Sequence, residues 1–191
     1  NLSLLQRAGR GGLTELDDAS GFVAAPGALE RVLRDAAGRY DLVLVDTHAG
    51  LHGATRTVLE LSDSLLVPLQ AEPLALRATN QLLNGLASLR EAGAPVRVVG
   101  FVITMLTSRN EVSLAVAQES WSTLPSDLVL NGFVPRDPIF LRASAHGVPI
   151  SLLTRRPPPV AVVFDQIAAE LEPRLGLVRQ EVHDDPIPLL V

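Results

Sequence analysis

The run Tyr40-Asp41-Leu42-Val43-Leu44-Val45-Asp46 limits the possible folds more than any other stretch of the chain. Its middle is apolar without alternation, and it ends in a carboxylate followed by the loop Thr47-His48-Ala49-Gly50. A short continuous apolar run reads as a strand buried on both faces, the pattern of a parallel sheet. On that reading Asp46 reaches the carboxyl edge of the sheet, where open α/β folds bind their ligands. An Asp that merely caps the following loop is the competing explanation.

Strand and helix patterns alternate along the rest of the chain. Phe22–Ala25 is a brief strand candidate ended by Pro26-Gly27, and Ala28–Gly38 reads as an amphipathic helix with Leu29, Val32, Leu33 and Ala36 on one face. A helix over Gly53–Leu61 precedes a buried strand over Ser64–Leu69. The spacing of Leu82, Leu86 and Leu89 predicts a long helix from Pro73 to about Ala92, with Pro73 in a tolerant first turn and Gly93 as the stop. Val96–Met105 is the strongest strand; Glu111–Thr123 is a helix, Leu128–Val134 a strand, Pro138–Ala145 a short helix and Val160–Leu175 a closing helix with Pro173 near its end. Such alternation implies a doubly wound, mainly parallel sheet flanked by helices. Residues 1–180 read as a single domain and 181–191 as a disordered acidic tail.

Composition excludes several classes. Of the 191 residues, 47% are apolar and 19% charged, which favours a packed core over disorder. The absence of cysteine removes disulfides, thiol catalysis, thiolate zinc sites and iron–sulfur clusters. The net charge of −5 argues against wholesale affinity for nucleic acid but leaves room for a local Arg patch. No apolar span approaches the length of a membrane helix. All 16 Lys-or-Arg positions are Arg. A phosphate-binding P-loop needs a Lys, so these residues hold none. Gly9-Arg10-Gly11-Gly12-Leu13-Thr14 has the glycines of such a loop but neither the Lys nor a preceding strand.

Tyr40–Asp46 is followed by Asp63-Ser64-Leu65-Leu66-Val67-Pro68-Leu69-Gln70-Ala71-Glu72-Pro73-Leu74-Ala75-Leu76. Further on come Thr104-Met105 with Ser108-Arg109-Asn110, then Val134-Pro135-Arg136-Asp137, then Ala145-His146-Gly147-Val148-Pro149-Ile150. In order and spacing these segments resemble the ParA family of partition ATPases, within the wider ParA/MinD group of deviant-Walker P-loop proteins, from about Phe22 to Leu171. The resemblance implies ATP and Mg²⁺ as cofactors in the intact family. It makes Asp46 the Walker B acid on the magnesium side, and so both the catalytic and the metal-site candidate. It sets Thr104, Met105, Pro135 and Asp137 around the adenine base, and Arg109, with Arg136 and Arg142 beside it, against non-specific DNA. A ParB-type partner, a homodimer, no membrane and a cytoplasmic, nucleoid-associated location follow from the same resemblance. Thr47-His48-Ala49-Gly50 departs from the family's usual Cys-Pro-Pro, and Ile139 stands where a second family Arg falls.

The residues also admit simpler roles. Met105 can be core, Asp137 a helix cap beside Pro138, and the arginines solvated surface. The expectation is a downstream portion of a partition ATPase whose phosphate loop would precede Asn1, unable to hydrolyse ATP alone. The rivals are a MinD-like positioning protein, weakened by the acidic C-terminal residues, a nucleotide-free DNA- or partner-binding scaffold, and a metal hydrolase built on Asp46, His48 and His52.

Overall fold

The computed structural model describes residues 27–177. The strand expected at Phe22–Ala25, the glycine-rich opening and the tail from 181 lie outside them. Among the described residues, contacts along the chain separate two compact units, one formed by residues 27–63 together with Gly85–Val96, the other by Ser64–Asn84 and residues 97–177.

In the first unit, helix α1 (Ala28–Ala37) follows Gly27, whose φ of 78° is a left-handed conformation suited to glycine. Salt bridges Glu30–Arg34 and Asp35–Arg39, each one helical turn apart, line its solvent side. Helix α2 (Gly53–Leu61) buries Val58 and Leu59, and the Thr55 hydroxyl donates to the His48 carbonyl at 3.3 Å. Gly85, in the C-terminal half of helix α3 (Pro73–Glu91), lies hard against Leu51: a Cβ there would stand 2.0 Å from Leu51 Cδ1.

Residues 41–47 correct the sequence reading. They belong to no strand among the described residues, and Leu44 is 84% exposed, with Leu42 and Val45 also exposed. An apolar run states that both faces could be buried. Only a hydrogen-bonded neighbour makes it a strand, and no described segment supplies one. Among the described residues Asp46 is therefore exposed on backbone outside any ladder, not at the tip of a strand.

The second unit contains a parallel three-stranded sheet in the order β1 (Ser64–Gln70), β2 (Arg97–Leu106), β3 (Val134–Pro135). Strand β1 pairs with β2 from Ser64↔Arg97 to Gln70↔Thr104, slipping once between Leu65 and Leu66. Alternate residues face opposite sides. Val67, Leu69 and Phe101 pack with Ala75, Leu76, Leu82 and Leu83 of α3 and with Leu124, which follows helix α4 (Glu111–Thr123). Ile103 and Leu106 meet Ala117 of α4. Val102 and Leu130 pack instead with Val163 and Ile167 of the last helix, here α6 (Val162–Arg174) because the short helix α5 (Pro138–Ala145) precedes it. Helices thus cover both faces of the sheet, which is the expected fold class.

The expected strand over Leu128–Val134 is broken. Phe101 N donates to Leu128 O at 2.7 Å and Leu130 N to Phe101 O at 2.9 Å, but Asn131 and Gly132 leave the ladder. Their backbone N–H groups donate to the Glu170 carboxylate, at 2.9 Å for Asn131 and 2.8 Å for Gly132, and Asn131 Nδ2 adds a bond of 3.1 Å. An acid on α6 has replaced a neighbouring strand as acceptor. The same helix is tied to β2 by Arg174 Nη1 donating to Val99 O and Arg97 Nη2 donating to Arg174 O, both at 2.9 Å. Pro173 falls in the last turn, where α6 ends at Arg174.

Burial, the largest single influence, pushes the Glu170 pKa up, but the bonds from Asn131 and Gly132 and the charge of Arg174 together hold it below the usual glutamate value. A depressed folded-state pKa contributes stability that is present above the unfolded value and lost as pH falls through the folded value. Glu170→Gln is expected to lower stability by about 1 kcal/mol at neutral pH, discounted for partial solvation of the carboxylate. The variant should also lose the part of the acid destabilisation that the wild type shows below about pH 4.5. Urea unfolding of both chains at pH 7 and pH 3.5 checks this; equal differences at the two pH values would refute the Glu170 clamp.

Candidate functional site

The carboxyl edge of the sheet gathers most of the residues singled out in the sequence. Thr104 closes the β1–β2 ladder opposite Gln70, and also pairs with Val134; Pro135 pairs with Leu106. Between Thr104 and Leu106 the β2–β3 register slips, and Met105 is the extra residue. It has φ 54°, the one positive φ at a non-glycine among the described residues. A bulge in the left-handed region turns the side chain out of the ladder, and Met105 is 49% exposed. The alternative that Met105 is ordinary core is thereby set aside. Backbone strain of this kind costs about 1–2 kcal/mol at a residue with a Cβ and concentrates at functional sites.

Three polar side chains surround the bulge. Arg136 Nη2 reaches Met105 Sδ at 3.6 Å and Glu72 Oε1 at 3.4 Å, and Gln70 Nε2 donates to the same Glu72 oxygen at 2.8 Å. Arg136 N donates to Leu106 O at 2.9 Å, which holds the residue beside the bulge. Glu72 and Gln70 entered the sequence reading only within the Asp63–Leu76 segment, with no role of their own. Their signal was there: a carboxylate two residues past the strand end, just before the proline that opens α3.

Asp137 is engaged as a cap. Its Oδ1 accepts from Ile139 N at 2.9 Å at the start of α5, with Pro138 in the first turn. Arg109 lies on the turn between β2 and α4, where Asn110 Oδ1 accepts from Ser113 N and Ser113 Oγ accepts from Thr107 N, both at 3.1 Å. That locked turn leaves Arg109 exposed, and no ion pair engages it among the described residues. Arg142 is exposed on α5, its carbonyl 2.7 Å from His146 Nδ1.

Asp46, His48 and His52 form no metal site: no group of three His, Cys, Asp or Glu able to hold a metal exists among the described residues. The metal-hydrolase reading has no centre to act from. The fit to a nucleotide is one-sided. The sheet edge offers a thioether, a planar guanidinium and backbone carbonyls, partners suited to a flat heterocycle. A triphosphate needs a Lys and a cradle of backbone amides; the described residues contain no Lys and no glycine-rich loop between a strand and a helix.

No helix of the described residues is long and apolar enough to cross a membrane. A family model described as an AAA domain matches residues 17–96. Over 138 residues the chain is 30% identical to the sporulation initiation inhibitor protein Soj of Bacillus subtilis, covering 72% of this chain and 54% of that protein. Over 118 residues it is 31% identical to the chromosome partitioning protein ParA of Caulobacter vibrioides, covering 61% of this chain and 44% of that protein. The chain therefore spans about half the length of the curated relatives it matches. Among solved structures, a single-site variant of McdA from Cyanothece, in complex with ATP, superposes with a TM-score of 0.66 at 14% identity, over 87% of this chain and 64% of that one. Cobyrinic acid a,c-diamide synthase from Mycobacterium smegmatis, with bound ATP analog and magnesium, gives 0.52 at 25% identity, over 68% and 59%. The first of these likenesses speaks to the fold alone.

The bulge yields a test of its own. Met105→Val, which forces a β-branched residue into the left-handed region, is expected to destabilise by about 1–2 kcal/mol, whereas Met105→Gly should stay close to the wild type. Thermal unfolding of the two variants separates them, and a Val variant as stable as the Gly variant would contradict the positive φ.

Proposed function

Because the chain belongs to the ParA family over the stretch it shares with these relatives, we propose that it serves chromosome or plasmid partition as part of a nucleotide-dependent DNA-binding switch. The observation that carries this reading is the coincidence of two facts. The match to partition proteins runs through Soj and ParA alike, and the motif residues Gln70, Thr104, Val134 and Pro135 meet at one carboxyl edge of a parallel sheet. Edges of this kind are where open α/β folds seat ligands.

In this reading Thr104, Met105, Pro135 and the backbone around Asp137 flank the adenine of ATP, and Asp46 serves the magnesium side. When bound, the triphosphate with its metal would supply the phosphoryl chemistry. The residues here supply the base edge, and a chain without Lys has no group for the phosphate grip. Arg109, supported by Arg142, contacts DNA phosphates without reading sequence, whereas Arg136, expected from the sequence to join them, is paired with Glu72 at the sheet edge and stands on the base side. A ParB-type protein and a second copy of the chain are the partners, and the nucleoid within the cytoplasm is the location. A nucleotide-free scaffold that binds DNA or a partner is the alternative if no phosphate grip joins these residues.

Two measurements on the 191-residue chain test the proposal. ATP turnover should be absent, and triphosphate affinity no tighter than that for adenosine; micromolar ATP binding or measurable hydrolysis would overturn the claim that the phosphate grip is lacking. Retention of a random DNA duplex should weaken in Arg109→Glu, with the slope of log affinity against log salt falling by about 0.9 for the lost phosphate contact. Unchanged retention would remove Arg109 from the interface.

A further inference from the structure

The carboxylate of Glu72 has no part in the proposed switch. The residue follows β1, and its carboxylate is 55% exposed. Two side chains nonetheless converge on a single oxygen of it. Gln70 Nε2 donates to Glu72 Oε1 at 2.8 Å, and Arg136 Nη2 donates to the same atom at 3.4 Å. The same Arg136 nitrogen stands 3.6 Å from the thioether of the strained Met105. The guanidinium is thus held between a carboxylate from the β1 end and a sulfur from the β2 bulge. Without Glu72, a long Arg side chain on an exposed edge would sample many rotamers and lie against Met105 only part of the time.

We infer that Glu72 is a positioning residue: it holds the Arg136 guanidinium across Met105 and so builds a flat shelf at the sheet edge for a planar heterocycle. Gln70 orients the carboxylate, and the left-handed bulge at Met105 supplies the other side of the shelf. A guanidinium held in one plane stacks on an aromatic ring more effectively than a mobile one, because less freedom is lost on binding. The inference rests on the reading that an adenine base sits at this edge, which it deepens by assigning a specificity role to an ion pair.

Met105 is the chain's single methionine, so a chain labelled with ¹³C-methyl methionine gives one resonance at the shelf. In the ligand-free protein, Glu72→Gln should shift that resonance, Arg136→Gln should shift it too, and the double variant should match Arg136→Gln alone. Raising salt should move the wild-type signal toward the Glu72→Gln position, since an exposed ion pair is screened. Adenosine, which needs no phosphate grip, should move the wild-type resonance, and Glu72→Gln should weaken its affinity about two- to fivefold, the range an exposed pair supports.

A methyl signal indifferent to Glu72→Gln overturns the inference, whatever adenosine does. Equal adenosine affinity in wild type and variant also overturns it, while the base reading survives. Coupled shifts in Glu72→Gln and Arg136→Gln with no response to adenosine uphold the positioning role and overturn the base reading instead.

Discussion

Strand β2 is the constraint on which the second unit depends. It pairs in parallel with β1 along one edge and β3 along the other, and helices close over both of its faces. Phe101, fully buried, packs on the α3 and α4 side, while Val102 next to it packs on the α6 side. A strand so enclosed cannot shift by one residue without exchanging its two faces. That fixed register decides where the bulge falls, and the bulge decides that Met105 projects from the edge rather than into the core.

This rigidity explains why the residues at the carboxyl edge of the sheet are held in place. Gln70, Thr104 and Pro135 are held by backbone ladders, which fixes the bulge at Met105 between Thr104 and Leu106, and Arg136 is held by its bond to Leu106 O. Asp46 has no such support: its backbone makes no ladder among the described residues, and its neighbours Leu44 and Val45 face solvent.

The sequence made the parallel fold legible because helix and strand patterns alternate cleanly; helix α4 runs from Glu111 to Thr123, as the pattern predicts. It misled at two strands for one reason. Tyr40–Asp46 and Leu128–Val134 both carry strand-like apolarity, yet strand identity is a property of a pair of segments and cannot be read from one. At Asn131-Gly132 the deciding partner is Glu170, distant in sequence and invisible to any periodicity. The base-side residues were legible only as motif positions; that Met105 lies outside the core follows from a register slip that no local pattern announces. Asp137 had two readings, and the cap on α5 is the one with a hydrogen bond behind it.

The arginine-only composition bears on the same division. Lys is a compact point charge on a flexible stem, able to follow a phosphate through a reaction; Arg is a fixed planar fork that stacks and pairs bidentately. Arg136 uses that planarity, lying between a carboxylate and a thioether, and Arg109 presents the same fork, exposed, on its locked turn. Both are tasks of placement on a static surface. Gripping a triphosphate as charge moves across it is a different task, one that P-loops give to Lys. None of the basic side chains in this sequence is of that second kind, since all 16 are Arg.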